Sequence, residues 1–97
     1  MKTTIDLPIA KWLYPNPEAS TYRITIDRED KARILACTWN AIHDSLGDIT
    51  PYTNVGSDAD PIYLPLANLI LGLSNDVFVE RVFGAAPNDF RRKALKR

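Results

Sequence analysis

The chain has 97 residues, with twelve Lys and Arg, twelve Asp and Glu, one Cys and one His. Its length fits a single domain over residues 1–97, and a hydrophobic share of 45% is that of a folded chain, not of a disordered one. One cysteine excludes a disulfide framework, and no apolar run approaches the about 20 residues that cross a bilayer, so we expect a cytoplasmic protein that makes no membrane contact.

Two short strands are predicted near the N-terminus, over residues 3–7 and 20–26. The second strand alternates β-branched or aromatic residues with polar ones, in the period of two that is typical of a half-buried strand. Three prolines (Pro8, Pro15 and Pro17) disfavour regular pairing between them and leave room for one helical turn at most. Residues 1–27 are therefore predicted to be extended and to form a two-stranded ribbon, which must pack on helices to be stable.

A long helix is predicted over residues 28–46. Asp27 is a good N-cap and Gly47 a natural stop. Apolar residues recur between them at spacings of three and four, which favours one buried helix face. The polar stretch from 48 to 60 is predicted to be a loop.

Three further helices are predicted over residues 65–73, 75–83 and 87–96. Pro65 suits the first helical position, because its missing N–H costs nothing there. Ser74 would cap the second of these helices and Gly84 would end it. The predicted fold class is α+β, mostly helical, with the N-terminal two-stranded ribbon packed on three to four helices.

No residue set for catalysis or metal binding stands out. Cys37 and His43 are six positions apart, which is about 240° around a helix and prevents them from acting as a pair. A metal-dependent hydrolase would need Asp48, Asp58 and Asp60 to converge, but their spacing is not that of a calcium loop. We therefore predict a protein that is not an enzyme and has no catalytic residues, cofactor or metal.

The neutral total charge hides a division along the chain. Residues 1–80 carry six Lys and Arg against eleven Asp and Glu, whereas residues 81–97 carry six against one. Such a polarised chain could steer a charged partner towards one face. Alternatively, the basic tail docks on the acidic remainder.

A short motif lies within residues 66–92. Residues 72–83 (Gly-Leu-Ser-Asn-Asp-Val-Phe-Val-Glu-Arg-Val-Phe) resemble the turn and recognition helix of the second helix-turn-helix in AraC-type transcriptional regulators, and residues 87–92 (Pro-Asn-Asp-Phe-Arg-Arg) are similar to the closing segment of that family. The resemblance implies DNA binding, with Asn75, Asp76 and Val77 facing the groove of DNA. The cations that would contact phosphate lie in the same region: Arg81, Arg91 and Arg92, followed by Lys93 in the tail.

Two alternatives remain open for these motifs. Residues 66–92 could simply be two packed helices, since turn-joined helices are common and an acidic body would repel the phosphate backbone. Trp12 and Tyr14, which lie between prolines, could form a binding hot spot, because Trp and Tyr offer large apolar area with a polar group. Equally, Trp12 could close one end of the core.

The leading hypothesis is a small non-enzymatic protein that binds a larger protein or nucleoprotein complex. It would act as an adaptor or stoichiometric inhibitor of the kind that phages and mobile elements encode. The predicted partner-binding residues are aromatic or acidic: Trp12, Tyr14, Asp44, Asp48, Asp58 and Asp60. A helix-turn-helix regulator that binds DNA is the alternative.

Overall fold

The computed structural model describes residues 1–12, 20–43 and 49–97. Seven strands lie in these ranges: β1 (Lys2–Trp12), β2 (Thr21–Asp27), β3 (Trp39–His43), β4 (Ile49–Asn54), β5 (Tyr63–Pro65), β6 (Glu80–Arg81) and β7 (Leu95–Lys96). The described helices are α1 (Lys31–Leu35) and α2 (Leu66–Leu71), with 3₁₀ turns at Arg28–Asp30 and Arg92–Ala94. Of the described residues, 44% are in strands and 20% are helical. The mostly helical α+β class is therefore wrong, and the chain is β-rich.

Five strands form one mixed sheet in the order β2-β1-β3-β4-β5. β1 and β3 run parallel, and the other neighbours in this sheet are antiparallel. β6 and β7 form a separate antiparallel pair. One face of the five-stranded sheet is covered by α1, α2 and the C-terminal segment, and the core lies between these layers.

The two strands predicted near the N-terminus are confirmed. Their alternation places Ile5 opposite Ile24, and both are buried on the core face. The break predicted at Pro8 is wrong, because β1 continues through it to residue 12. The N–H of the next residue, Ile9, donates to the Ser20 carbonyl at 2.9 Å, so the nitrogen of Pro8 faces away from β2. β3 pairs with β1 only from Ile9 onwards, so the missing N–H of Pro8 removes no hydrogen bond to β3.

A β-bulge changes which side chains of β1 face the core. Ile9 pairs with Trp39, but the next pair is Lys11 with Asn40, so the register shifts by one residue. The shift ends the simple alternation of β1 and turns Lys11 away from the core. Trp12, opposite the buried Ala41, packs against the core.

The helix predicted over residues 28–46 is wrong beyond its first turns. Only the 3₁₀ turn and α1 are helical, and β3 begins at Trp39. The Trp39 indole N–H donates to the Ile34 carbonyl at 2.7 Å, which satisfies an acceptor at the end of α1. Asp27 makes no side-chain cap and instead accepts the backbone N–H of Arg92 at 2.9 Å. The edge of β1 that does not pair with β2 has backbone N–H and C=O groups that need partners. Residues 39–41 pair with this edge as a strand.

The helix predicted over residues 65–73 is confirmed in its central part as α2. Pro65 has extended backbone and precedes the first helical residue, so its missing N–H breaks no helical bond. Gly72 ends the helix with φ of 70°, a left-handed conformation that glycine adopts without strain. The apolar face of α2 buries Leu66 and Ile70 in the core.

The helices predicted over residues 75–83 and 87–96 are both wrong. The buried Asn68 side chain donates to the carbonyls of Ser74 and Val77, each at 2.8 Å, which holds residues 74–77 as a turn. β6 follows this turn and pairs with β7. The helix-turn-helix arrangement is thus in conflict with the β-rich structure of this region.

Candidate functional site

A groove on the open side of the sheet is the candidate site. Strand alternation places every second residue of β3 and β4 on the face opposite the core. Directly paired positions on that face form a row across four strands: Lys11, Asn40, Tyr52 and Pro65. Ile42 and Thr50 form the next row, and Tyr63 lies two residues before Pro65. Together these seven residues line a mostly apolar groove of about 360 Å³, which we call the sheet groove.

Two tyrosines form the main aromatic contact of the sheet groove. The rings of Tyr52 and Tyr63 lie edge to face, with centroids 5.2 Å apart and an interplanar angle of 82°. Tyr52 is only 8% exposed, whereas Tyr63 is 53% exposed. Burial, and secondarily the charge of Tyr63, raises the pKa of Tyr52, so its phenol stays protonated near neutral pH. A pair of this kind gives a rigid apolar surface that keeps hydroxyl groups for hydrogen bonding.

The loop from β4 to β5 borders the groove and has defined local structure. The Asn54 side-chain oxygen accepts the N–H of Gly56 at 2.9 Å and that of Ile62 at 3.0 Å, and the Ser57 hydroxyl accepts the N–H of Asp60. A Cβ at Gly56 would lie 2.4 Å from the Asp60 carbonyl oxygen, so the backbone approaches more closely there than a larger residue allows. The loop carries exposed carboxylates next to the end of β5 where Tyr63 lies.

The predicted partner-binding residues that the structure describes lie in two different places. Asp58 and Asp60 are exposed on the loop beside the sheet groove. Trp12 lies on the core face of β1 and is half-buried, so the structure places it with the core and not with the sheet groove. The remaining predicted residues lie outside the described residues: Tyr14, Asp44 and Asp48.

Two of the arginines predicted to contact DNA form ion pairs within the chain. Arg91 donates to both carboxylate oxygens of Asp89, at 2.9 and 2.6 Å, and these bonds lower the pKa of Asp89. Arg92 donates to both oxygens of the buried Asp30, at 3.2 and 2.8 Å. Arg33 also contacts Asp30 at 3.2 Å. Arg92 therefore docks on the acidic body, whereas Arg91 pairs with Asp89 inside the basic tail.

The other residues of the DNA-binding hypothesis do not lie on a common helix. Arg81 is in β6 and stacks on the ring of Phe90. Asn75 and Asp76 are exposed in the turn after α2, and the Ser74 hydroxyl donates to the Asp76 carboxylate. Lys93 is exposed in the second 3₁₀ turn.

The described residues offer no group of three His, Cys, Asp or Glu side chains that could hold a metal ion. Cys37 lies in the turn before β3, and His43 ends that strand. The separation of about 240° that was predicted for them around one helix is therefore wrong, because residues 36–43 are not helical. The described residues of the sheet groove offer an apolar contact surface. They also offer hydrogen-bonding groups on Asn40 and the two tyrosines, and the positive charge of Lys11.

Most of the sheet groove lies in residues for which the sequence predicts other structure. Residues 49–54 fall in the polar stretch predicted to be a loop, and residues 39–43 fall in the predicted helix, but both ranges are strands. The available signal was the β-branched and aromatic run from Ile49 to Thr53, which is typical of a strand. Lys11 could not have been placed on this face, since its position depends on the bulge in β1.

Comparison of the chain with protein-family models, with curated proteins and with solved structures gives no match. The resemblance to AraC-type regulators therefore stays a prediction. Within the described ranges, no helix combines the length and apolar content needed to cross a membrane.

Proposed function

We propose that this chain is a small non-enzymatic protein that binds a larger protein through the sheet groove, as an adaptor or stoichiometric inhibitor. The observation that carries the proposal is the edge-to-face pair of Tyr52 and Tyr63 on the open face of the sheet. Tyrosine is enriched at the centres of protein interfaces, because it adds large contact area with little loss of side-chain entropy. Tyr52 supports the exposed ring of Tyr63, so the contact surface is already formed before the partner arrives.

The charges around the sheet groove suggest how a partner would be oriented. Lys11 lies at the β1 end of the groove, and the exposed Asp58 and Asp60 lie on the loop at the β5 end. The partner would therefore present an acidic group towards Lys11 and a basic group towards the loop. Charges at the rim of an interface mainly set orientation and association rate, while the apolar centre provides affinity.

Photocrosslinking from one position of the groove tests the proposal. A photoreactive phenylalanine analogue replaces Tyr63 in cells that naturally express the protein. A matched probe replaces Thr4, which is exposed on the same side of the sheet. Thr4 pairs with Thr25 and lies seven residues from Lys11, about 23 Å along β1. We expect the probe at position 63 to capture one protein, and the probe at position 4 to leave it uncaptured.

Two outcomes would contradict the proposal. If the probe at position 63 captures nothing, or captures the same proteins as the probe at position 4, the sheet groove is not the binding surface. The alternative of DNA binding is measured in parallel by a gel shift with random duplex DNA. A shift that weakens steeply with salt, and weakens further when Arg81 and Arg91 are changed to Ala, would favour DNA over a protein partner.

A further inference from the structure

A second groove lies on the core side of the sheet. It is bounded by the segment 75–81 and by the first residues of β4 and of α2. It has a volume of about 390 Å³, within the range of ligand-binding clefts. Most of its wall is apolar, and it includes Ile49, Leu66, Val79 and Phe90. We call it the Arg81 groove, because one cation interrupts this apolar wall.

Arg81 is held in the wall without an anionic partner. Its guanidinium carbon lies 4.5 Å from the centre of the Phe90 ring. Its Nε is buried and has no hydrogen-bond acceptor among the described residues. No carboxylate in the described ranges is within ion-pair distance of Arg81, and the adjacent Glu80 instead pairs with Lys96 at 3.6 Å. The Nε is enclosed, so a ligand in the groove would reach the terminal guanidinium nitrogens, which no described carboxylate neutralises. A cation without an anionic partner in a mostly apolar wall is unfavourable, so this position is suited to a ligand that brings an acceptor.

We infer that the Arg81 groove binds the carboxyl terminus of a peptide that ends in an apolar residue. The terminal carboxylate would accept hydrogen bonds from the Arg81 guanidinium, and the apolar side chain would lie against Val79 and Phe90. A carboxylate matches the planar donors of arginine, and the pair is strengthened by the apolar surroundings. Asn75 and Phe78 are exposed on the outer side of the groove, which leaves a path for the rest of the peptide chain.

One carboxylate in the wall opposes such a ligand. Asp76 also lines the groove, and the hydrogen bond from Ser74 lowers its pKa, so it is ionised near neutral pH. Its charge would repel the peptide carboxylate and reduce affinity. Neutralising this residue should therefore strengthen binding, which is the opposite of what the loss of a useful contact would do.

The test uses an acetylated tetrapeptide, Gly-Gly-Gly-Phe, with a free carboxyl terminus, and the same peptide as its C-terminal amide. Both are titrated into the full chain while backbone and arginine Nε–H resonances are followed by NMR. We expect the acid to bind at least about tenfold more tightly than the amide, since a charge-assisted pair is lost in the amide. The shifts should centre on Arg81, Val79 and Phe90.

Three variants separate this site from a general charge effect. Arg81→Gln should weaken binding of the acid by at least about tenfold, whereas Lys93→Gln removes one exposed positive charge and should leave it unchanged. Asp76→Asn should tighten binding of the acid by about two- to fivefold, a rim-charge effect. The Asp76 variant keeps the inference testable even if Arg81→Gln disturbs the pairing of β6 with β7.

Several results would overturn the inference. Equal affinity for the acid and the amide would show that no carboxylate is recognised. Shifts confined to the sheet groove would place the ligand elsewhere. Acetyl-phenylalanine alone binding as tightly as the tetrapeptide would indicate a small free acid as the ligand, not a peptide terminus. None of these results depends on the protein partner proposed for the sheet groove.

Discussion

The two faces of the five-stranded sheet differ in what their side chains do. The core face carries Ile, Leu and Trp side chains that are almost completely buried against α1, α2 and the C-terminal segment. The open face carries an exposed ion pair between Asp6 and Arg23 at the β1–β2 end, and the sheet groove at the other end. Neighbouring residues in one strand therefore lie in separate environments, one in the core and the next on the open face.

This difference means that substitutions in one strand should divide into two classes. A change on the core face should lower the free energy of unfolding. A change at an exposed or partly exposed position of the open face should leave that free energy nearly unchanged and alter binding instead, whereas a change at Tyr52, which is 8% exposed, should affect both.

The largest effect is expected at Trp39. This side chain is 2% exposed and also provides the hydrogen bond to the end of α1. Trp39→Ala should lower the free energy of unfolding by about 3–5 kcal/mol, measured by urea denaturation, because it leaves a large cavity. Asn40→Ala, one residue further on the open face, should change it by about 0.5 kcal/mol or less. Similar losses for both variants would contradict the division between the faces.

An intermediate effect is expected at Asp30, which is 2% exposed and bonded to Arg33 and Arg92. Asp30→Asn removes the charge that holds the C-terminal segment against the body. Both arginines are nearly half exposed and can regain water, so we expect a loss of about 1–2 kcal/mol, less than for a fully buried pair. Asp6→Asn, which breaks the exposed pair with Arg23 on the open face, should have a smaller effect that disappears at high salt.

A smaller, pH-dependent effect is expected at Asp89. The hydrogen bonds from Arg91 lower its folded-state pKa, so the stability that this pair contributes is present above the ordinary Asp pKa of about 3.9. That contribution is lost as the pH falls through the lowered pKa. Asp89→Asn should therefore reduce stability at pH 7 and flatten its decline between about pH 4 and pH 2, measured by urea midpoints. An unchanged slope in the variant would show that Asp89 titrates normally.

The sequence was sufficient where local pattern and tertiary structure agree. The alternation around Ile24 and Ile26 predicted β2, and Pro65 predicted the start of α2 within one residue, while the predicted end at residue 73 lies two residues beyond the observed one. In both cases the local signal does not depend on a distant partner.

The sequence was misleading where a distant contact decided the conformation. Residues 28–46 have apolar residues at helical spacing, but β1 recruits residues 39–41 as its parallel partner. Residues 75–83 have a good cap at Ser74, but the side chain of Asn68 holds the turn from residue 74 to residue 77. The sheet groove depends on both the new strand β3 and the bulge in β1. Neither is visible in local pattern, which explains why the candidate site was mostly missed.

The most direct test of the account measures affinity for the protein captured at position 63. Thr50→Arg places a large cation in the wall of the sheet groove, and Thr4→Arg makes the same change on the same side of the sheet outside it. The account predicts that Thr50→Arg raises the Kd by about tenfold or more, while Thr4→Arg leaves it within about twofold. Equal Kd values for the two variants, with both still folded, would contradict the claim that this protein binds its partner through the sheet groove.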